Sequence, residues 1–299
     1  MMTNIGFIGL GKMGYPMALN LLKKHRVFAY DINKRLKPDL IQKGASFCNT
    51  LNSLCTKNVS HIIIMLQTGE QVEEMCTSRG GIFDNVSSST IIIDCSSIDI
   101  QTSLKLHNLA EKKSIPMLDA PVSGGIKGAR EGTLTFMVGG KKDYFDNTQS
   151  ILSIMGKNII YAGKPGNGQV AKICNNMLLG ISMIGVCEAF ILSEKLGVDA
   201  TTFYNIAKHA SSQCWSMTSY APVPNVVPDS PANNGFKPGF TSQMMLKDLL
   251  LSQTAAKLAD IQTPMGKTAS MLYKQFVMQG NEEIDFSGII NMLRDKKSI

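Results

Sequence analysis

Between Asn4 and Asp31 the chain reads NIGFIGLGKMGYPMALNLLKKHRVFAYD, and few folds accept that order. The β-branched and aromatic run from Asn4 to Ile8 predicts a buried strand. Gly9-Leu10-Gly11-Lys12-Met13-Gly14 follows as G-x-G-x-x-G. Met17, Leu21 and Leu22 then recur at helical spacing, and a second strand, Val27 to Tyr30, ends on Asp31, 20 residues after Gly11. Strand, glycine turn, helix, strand and acid together specify a βαβ unit that opens on a dinucleotide site. Gly9 allows the tight turn, Gly11 lets the backbone approach a pyrophosphate, and Gly14 lets helix and strand pack closely. The helix N-terminus offers free N–H groups and its dipole to the phosphates. Asp31 can take the adenosine ribose hydroxyls and repels a 2′-phosphate, which favours NAD over NADP. Lys34 and Arg35 follow closely and soften that repulsion. The cofactor-binding candidates here are Gly9, Leu10, Gly11, Lys12, Met13, Gly14 and Asp31.

The alternation continues. Strands are expected at 62–66, 90–95, 116–119, 133–138 and 158–161, with helices at about 99–113 and 141–155. In a doubly wound sheet the loops at the carboxyl ends of strands line the ligand crevice. Leu66, Gln67, Gln71 and Ser97 are therefore cofactor-contact candidates, although helix-capping loops carry the same residue types. Asp119-Ala-Pro-Val-Ser123-Gly124-Gly125 ends a strand on a hydroxyl and unhindered N–H groups. Ser123, Gly124 and Gly125 suit an anion such as a carboxylate, or form a plain tight turn.

After Gly163, Pro165, Gly166 and Gly168 comes a long run, apolar nearly all round, which predicts a buried helix to about Leu196. Its ends are too polar to suggest a membrane span. Lys172 and Asn176 lie four apart near its start, hence on one face, with Asn175 beside them. A lysine there either snorkels to the surface or is used. Further helices are expected at 199–210, 240–260, 264–279 and 284–293. A Pro- and Asn-rich stretch at 220–239 is long enough to be either functional or disordered. Lys247 and Asp248 are adjacent on a helix, so only one is expected to face a given site, and Lys247 on a solvated face is the plain alternative. The expected architecture is an α/β N-terminal Rossmann domain with a doubly wound, mostly parallel sheet (1–162), followed by an all-α C-terminal domain (163–299) that binds substrate and oligomerises.

The net charge of +7 comes from scattered basic residues, so no nucleic-acid surface is expected. Seven cysteines without a C-x-x-C pair and four histidines without ligand spacing point to a reducing compartment and no metal site. The opening MMTNIGFIG enters a strand at once, which leaves no leader and makes the cytoplasm the default.

Four motifs now stand together: GFIGLGKMG (6–14), DAPVSGG (119–125), G-x-G-x-x-x-K-x-x-x-N (166–176) and MLKDL (245–249). With them the chain resembles the β-hydroxyacid dehydrogenases over essentially its whole length. CWS (214–216) and YAPVPNVVPDSPANNGFKPGF (220–240) resemble one branch, which oxidises (S)-3-hydroxyisobutyrate in valine breakdown. The resemblance implies Lys172 as the catalytic acid/base, and Ser123, Gly124, Gly125 and Asn176 as substrate-binding residues. It implies Leu66, Gln67, Gln71, Ser97 and Lys247 as cofactor contacts, a small hydroxyacid substrate, and a homodimer or homotetramer formed through the helical domain. Gln67 departs from the proline common in the family, and Ser97 stands where threonine is common. Oxidation by a lysine base is expected to speed up toward alkaline pH. Other small-acid substrates, of the tartronate semialdehyde or glyoxylate type, and a non-catalytic dinucleotide sensor are the alternatives.

Overall fold

The structure, a computed structural model, describes residues 2–295. By contacts the chain divides into two compact units, Met1–Lys172 and Ile173–Ile299. The expected boundary at residues 162/163 coincides with the end of the last strand, whereas the division by contacts falls inside the helix that follows.

The first unit is built on one sheet. Its strands are β1 (Asn4–Ile8), β2 (Arg26–Tyr30), β3 (Ser46–Phe47), β4 (His61–Ile64), β5 (Ile91–Asp94), β6 (Met117–Asp119), β7 (Val122–Ser123), β8 (Leu134–Gly140) and β9 (Gly156–Gly163). Their order is β3-β2-β1-β4-β5-β6-β8-β7, with β9 beside β8. From β3 to β6 all pairs are parallel. β8 runs antiparallel to β6 and β7 and parallel to β9, so the sheet is mostly parallel, as expected. Both faces are covered, which explains the unbroken Ile62-Ile63-Ile64 and Ile91-Ile92-Ile93 runs. With a side-chain period of two, Ile5, Phe7, Ile63 and Ile93 enter one core, while Ile8, Ile62, Ile64 and Ile92 enter the other. The strand order runs outward from β1 in one direction and from β4 in the other, so the crevice where such sheets bind ligands opens at the carboxyl ends of these two parallel strands.

The short elements β3, β7 and the helix Gly125–Glu131 had no signal of their own. That helix starts where a plain turn had been the alternative, with Gly124 at φ 128° and Gly125 at φ 62°, backbone that favours glycine.

The second unit is helical. Its spine is the helix Asn167–Lys195, whose first turn already includes Gly168, the last residue of the glycine cluster. By length and composition it would suffice to cross a membrane. Met183, Cys187 and Phe190 on it are instead fully buried, in a core shared with Met245, Leu249, Tyr273 and Phe286. The helices Ser242–Leu258 and Pro264–Phe276 supply part of that core. Gly180 lets the spine approach closely, since a Cβ there would lie 3.0 Å from Leu249 Cδ2.

The 220–239 stretch is held at both ends by the buried Asp285. Its carboxylate accepts the Tyr220 hydroxyl at 2.9 Å, the N–H groups of Gly239 and Phe240 at 2.9 and 3.2 Å, and the Ser287 hydroxyl at 2.7 Å. The Tyr220 ring stacks between Trp215 and Phe286. The Ser230 hydroxyl closes the interior of the stretch on the Ala221 carbonyl at 2.6 Å.

Candidate active site

The glycine turn leaves β1 at the switch point. Gly9 has φ 90°, and a Cβ on it would collide with the Met65 carbonyl and sit 2.9 Å from Leu66 Cδ2. A Cβ on Gly14 would collide with the Gly9 carbonyl. Both glycines are thus demanded by the protein's own packing. Gly11 differs: it is exposed, and a Cβ there would meet open space. Close approach of a ligand backbone gives glycine a purpose at that position, and the exposed Lys12 and half-buried Met13 follow at the start of the helix Gly14–Leu22. Asp31 lies beside this turn. It accepts the Leu10 N–H at 2.5 Å and the Asn33 N–H at 2.7 Å. These residues fit a dinucleotide.

The neighbouring loops join this turn in sequence of strands. Leu66 donates its N–H to the Ser96 hydroxyl at 2.9 Å, which ties the loop after β4 to the loop after β5. Gln67 donates its N–H to Gln71 Oε1 at 3.1 Å, closing the first turn of the helix Gly69–Thr77. Ser97 is half-buried between Ser96 and Ile98. Gln169 reaches both of these neighbours: its Nε2 donates to the Ser96 carbonyl at 2.8 Å, and its Oε1 accepts the Ile98 N–H at 3.2 Å.

Sequence reasoning missed Gln169, and it missed the role of Asp119. Asp119 ends β6 fully buried and accepts the N–H groups of Gly166 and Gln169 at 2.9 and 3.0 Å. A carboxylate at the first turn of a long helix satisfies its free donors and complements its dipole. His107 Nε2 lies 2.9 Å from the same carboxylate. Asp94, at the end of the adjacent β5, is fully buried, and burial pushes its carboxyl up to about 7. Gly139 and Gly168 permit this docking, since a Cβ on Gly139 would sit 2.6 Å from Asp119 Oδ1. The only sequence signal was a pair of polar residues, Asp119 and Gln169, inside otherwise apolar or glycine-rich runs.

Lys172 follows one turn after Gln169. It keeps 8 % of its surface, so it does not snorkel to solvent. Ser123, half-buried at the end of β7, pairs with Thr135, and Gly124 is exposed at the start of the next helix. Within the second unit, the buried Asn176 donates its Nδ2 to Asp248, and Asn175 Nδ2 donates to Asn176 Oδ1 at 2.9 Å. Lys247 Nζ lies 3.3 Å from Asp248 Oδ1. Asp248 is thus a further site candidate; a carboxylate inside MMLKDLLL needs partners, and that was its signal.

A glycine turn at a switch point, answered by an acid just after the next strand, defines a dinucleotide-binding protein. The family described as the NAD binding domain of 6-phosphogluconate dehydrogenase matches residues 4–163. That described as NAD-binding of NADP-dependent 3-hydroxyisobutyrate dehydrogenase matches residues 166–293. The 3-hydroxyisobutyrate dehydrogenase of Pseudomonas aeruginosa is 41% identical over 99% of this chain and 100% of its own length. The NAD-dependent L-serine dehydrogenase of the same species is 39% identical over 96% of each chain. A solved structure of Mycobacterium tuberculosis 3-hydroxyisobutyrate dehydrogenase with L-serine superposes with a TM-score of 0.93 at 38% identity, covering 99% of this chain and 100% of that one. The chain belongs to the β-hydroxyacid dehydrogenase family. It is a hydroxyacid dehydrogenase whose cofactor is NAD or NADP.

Proposed function

We propose that this enzyme oxidises (S)-3-hydroxyisobutyrate to methylmalonate semialdehyde with NAD, with Lys172 as the base. The observation that carries the chemistry is the burial of Lys172 on a helix whose first turn is bonded to the Ser96–Ile98 loop. The substrate reading draws support from the 3-hydroxyisobutyrate dehydrogenases the chain is similar to, and from its 214–240 segment.

In this mechanism Ser123 and the N–H groups of Gly124 and Gly125 hold the substrate carboxylate. Lys172 takes the hydroxyl proton, and Asn176, oriented by Asp248, fixes the hydroxyl toward it. A nicotinamide held by the glycine turn would supply the hydride acceptor for the carbinol carbon that these residues orient. In the reverse direction Lys172 returns the proton. Asp31 engages the adenosine ribose and disfavours NADP, while Leu66, Gln67, Gln71, Ser97 and Lys247 complete the cofactor contacts. The cytoplasm belongs to the same proposal.

L-serine is the second reading, favoured by the serine dehydrogenase relative and by the serine in the superposed structure. It presents the same primary alcohol and carboxylate, with an ammonium in place of a methyl group. NADH formation from a panel of β-hydroxyacids, with NAD and NADP in parallel, separates the readings. Preference for (S)-3-hydroxyisobutyrate with NAD supports the proposal, and preference for L-serine replaces the substrate while keeping the Lys172 chemistry. Preference for a sugar-derived acid of the tartronate type sinks the substrate reading. Binding of NADH without any turnover would favour a sensor.

The proposal includes a homodimer or homotetramer formed through the helical unit. Its support is a row of exposed positions on the spine helix, Val170, Cys174, Leu178, Gly185 and Leu192, which recur four or seven apart and present apolar or small side chains. Light scattering on the wild type and on Leu178→Glu tests it. A monomeric wild type would reject it.

A further inference from the structure

Gln169 is fully buried, and its side-chain amide is spent on a single segment of backbone. It donates to the Ser96 carbonyl at 2.8 Å and accepts from the Ile98 N–H at 3.2 Å, one residue on each side of Ser97. Its own backbone N–H is held at 3.0 Å by Asp119, which also holds Gly166. Lys172 lies three residues on, in the next turn of the same helix. One amide therefore fixes the distance between the loop that carries Ser97 and the helix that carries the base. We infer that Gln169 is a positioning residue for hydride and proton transfer, acting through the Ser96–Ile98 loop on one side and Lys172 on the other. This inference rests on the dinucleotide and Lys172 roles proposed above, and it holds for whichever β-hydroxyacid the enzyme oxidises.

The geometry sets the expected size of the effect. Misplacing a reacting group by about 1 Å costs on the order of 10²-fold in rate. Gln169→Ala should lower kcat by about 10²-fold, with NADH affinity changed by only a small factor, because the glycine turn and Asp31 are untouched. The isotope effect from deuterium on the carbinol carbon should rise as hydride transfer becomes limiting. Loss of folded protein alone lowers apparent kcat but leaves the isotope effect where it is, so the isotope effect separates the two.

Gln169→Glu is the second variant. A protonated carboxyl donates to the Ser96 carbonyl and accepts from Ile98, whereas a carboxylate cannot donate. The titratable groups of the surrounding elements are Asp94, Asp119, His107 and Lys172. Activity of Gln169→Glu relative to wild type should therefore be highest in acid and fall as pH rises, while the Gln169→Ala ratio stays flat. All ratios are taken with the acid that the wild type oxidises fastest, so failure of the substrate reading shows in the wild type alone. A Gln169→Ala enzyme with kcat and isotope effect close to wild type overturns the inference. If that variant does not fold, a pH-independent Gln169→Glu ratio overturns it instead.

Discussion

The Asp31 carboxylate accepts the Leu10 N–H at 2.5 Å and the Asn33 N–H at 2.7 Å, so its removal takes away more than a cofactor contact. Asp31→Ala should cost about 1 kcal/mol of stability through the stranded Leu10 donor. It should also shrink the preference for NAD over NADP by at least about tenfold, because a 2′-phosphate no longer meets a like charge. Parallel kcat/KM measurements with the two cofactors check this, and an unchanged ratio would confine Asp31 to holding the turn. Lys172→Ala should lose several orders of magnitude in turnover while NADH, titrated by fluorescence, still binds. In the wild type, kcat for oxidation should rise with pH as the base loses its proton, and a profile flat from about pH 7 to 10, with chemistry limiting, would count against Lys172. Lys172, Asp31 and the glycines were legible because each sits in a short motif with its own chemistry. Asp119, Gln169 and Asp248 were not. Their partners lie 47, 73 and 72 residues away in sequence, and spacing along the chain carries no trace of such a pairing.

The spine helix shows how the elements were read. Its apolar run, polar start and end near Lys195 are visible in sequence, and so are the long strands of the sheet. β3, β7 and the helix Gly125–Glu131 stay hidden because two to seven residues are too few to display a period. The 220–239 stretch lacks any period, and its order comes from Asp285 and from an aromatic stack closed by Phe286, both distant in sequence. Two glycines of the spine lead to opposite expectations. A Cβ on Gly168 would collide with the Met137 carbonyl and lie 2.7 Å from the Asp119 carbonyl. Backbone cannot step aside, so Gly168→Ala should cost about 3 kcal/mol or more and loosen the docking of the helix start. A Cβ on Gly185 meets nothing within 4 Å. Gly185→Ala should gain roughly 0.5–1 kcal/mol from the lower entropy of the unfolded chain. Urea unfolding of both variants decides the matter. A loss at Gly185 would reject the reading of that position as open space.

At the scale of the whole molecule, two buried groups of the sheet set opposing slopes of stability against pH. Asp94 is fully buried, and desolvation, reinforced by the neighbouring Asp119, raises it from the ordinary 3.8 to about 7. A raised folded-state pKa means that the native state holds a proton the unfolded chain has released. The contribution of Asp94 is therefore complete below pH 3.8 and is lost as pH rises through about 7. His61, on β4, is pushed down from 6.5 to about 4 by burial. It is neutral in the fold, so its contribution is complete above pH 6.5 and is lost as pH falls through about 4. Between those values the two slopes oppose each other, and the wild type should show a flatter profile than either group alone would give. Asp94→Asn keeps an oxygen for the Ser96 N–H, now 3.0 Å from Asp94 Oδ1, but carries no proton equilibrium. In that variant Asp94 no longer opposes the His61 slope, and from about pH 4 to 6.5 stability should change more in favour of higher pH than it does in the wild type. The difference between variant and wild type should move steadily in the variant's favour up to about pH 7 and level off beyond it. Urea midpoints at several pH values across this range measure that difference. Parallel wild-type and variant curves would mean that Asp94 stays ionised inside the sheet, held by the Ser96 N–H rather than by a proton.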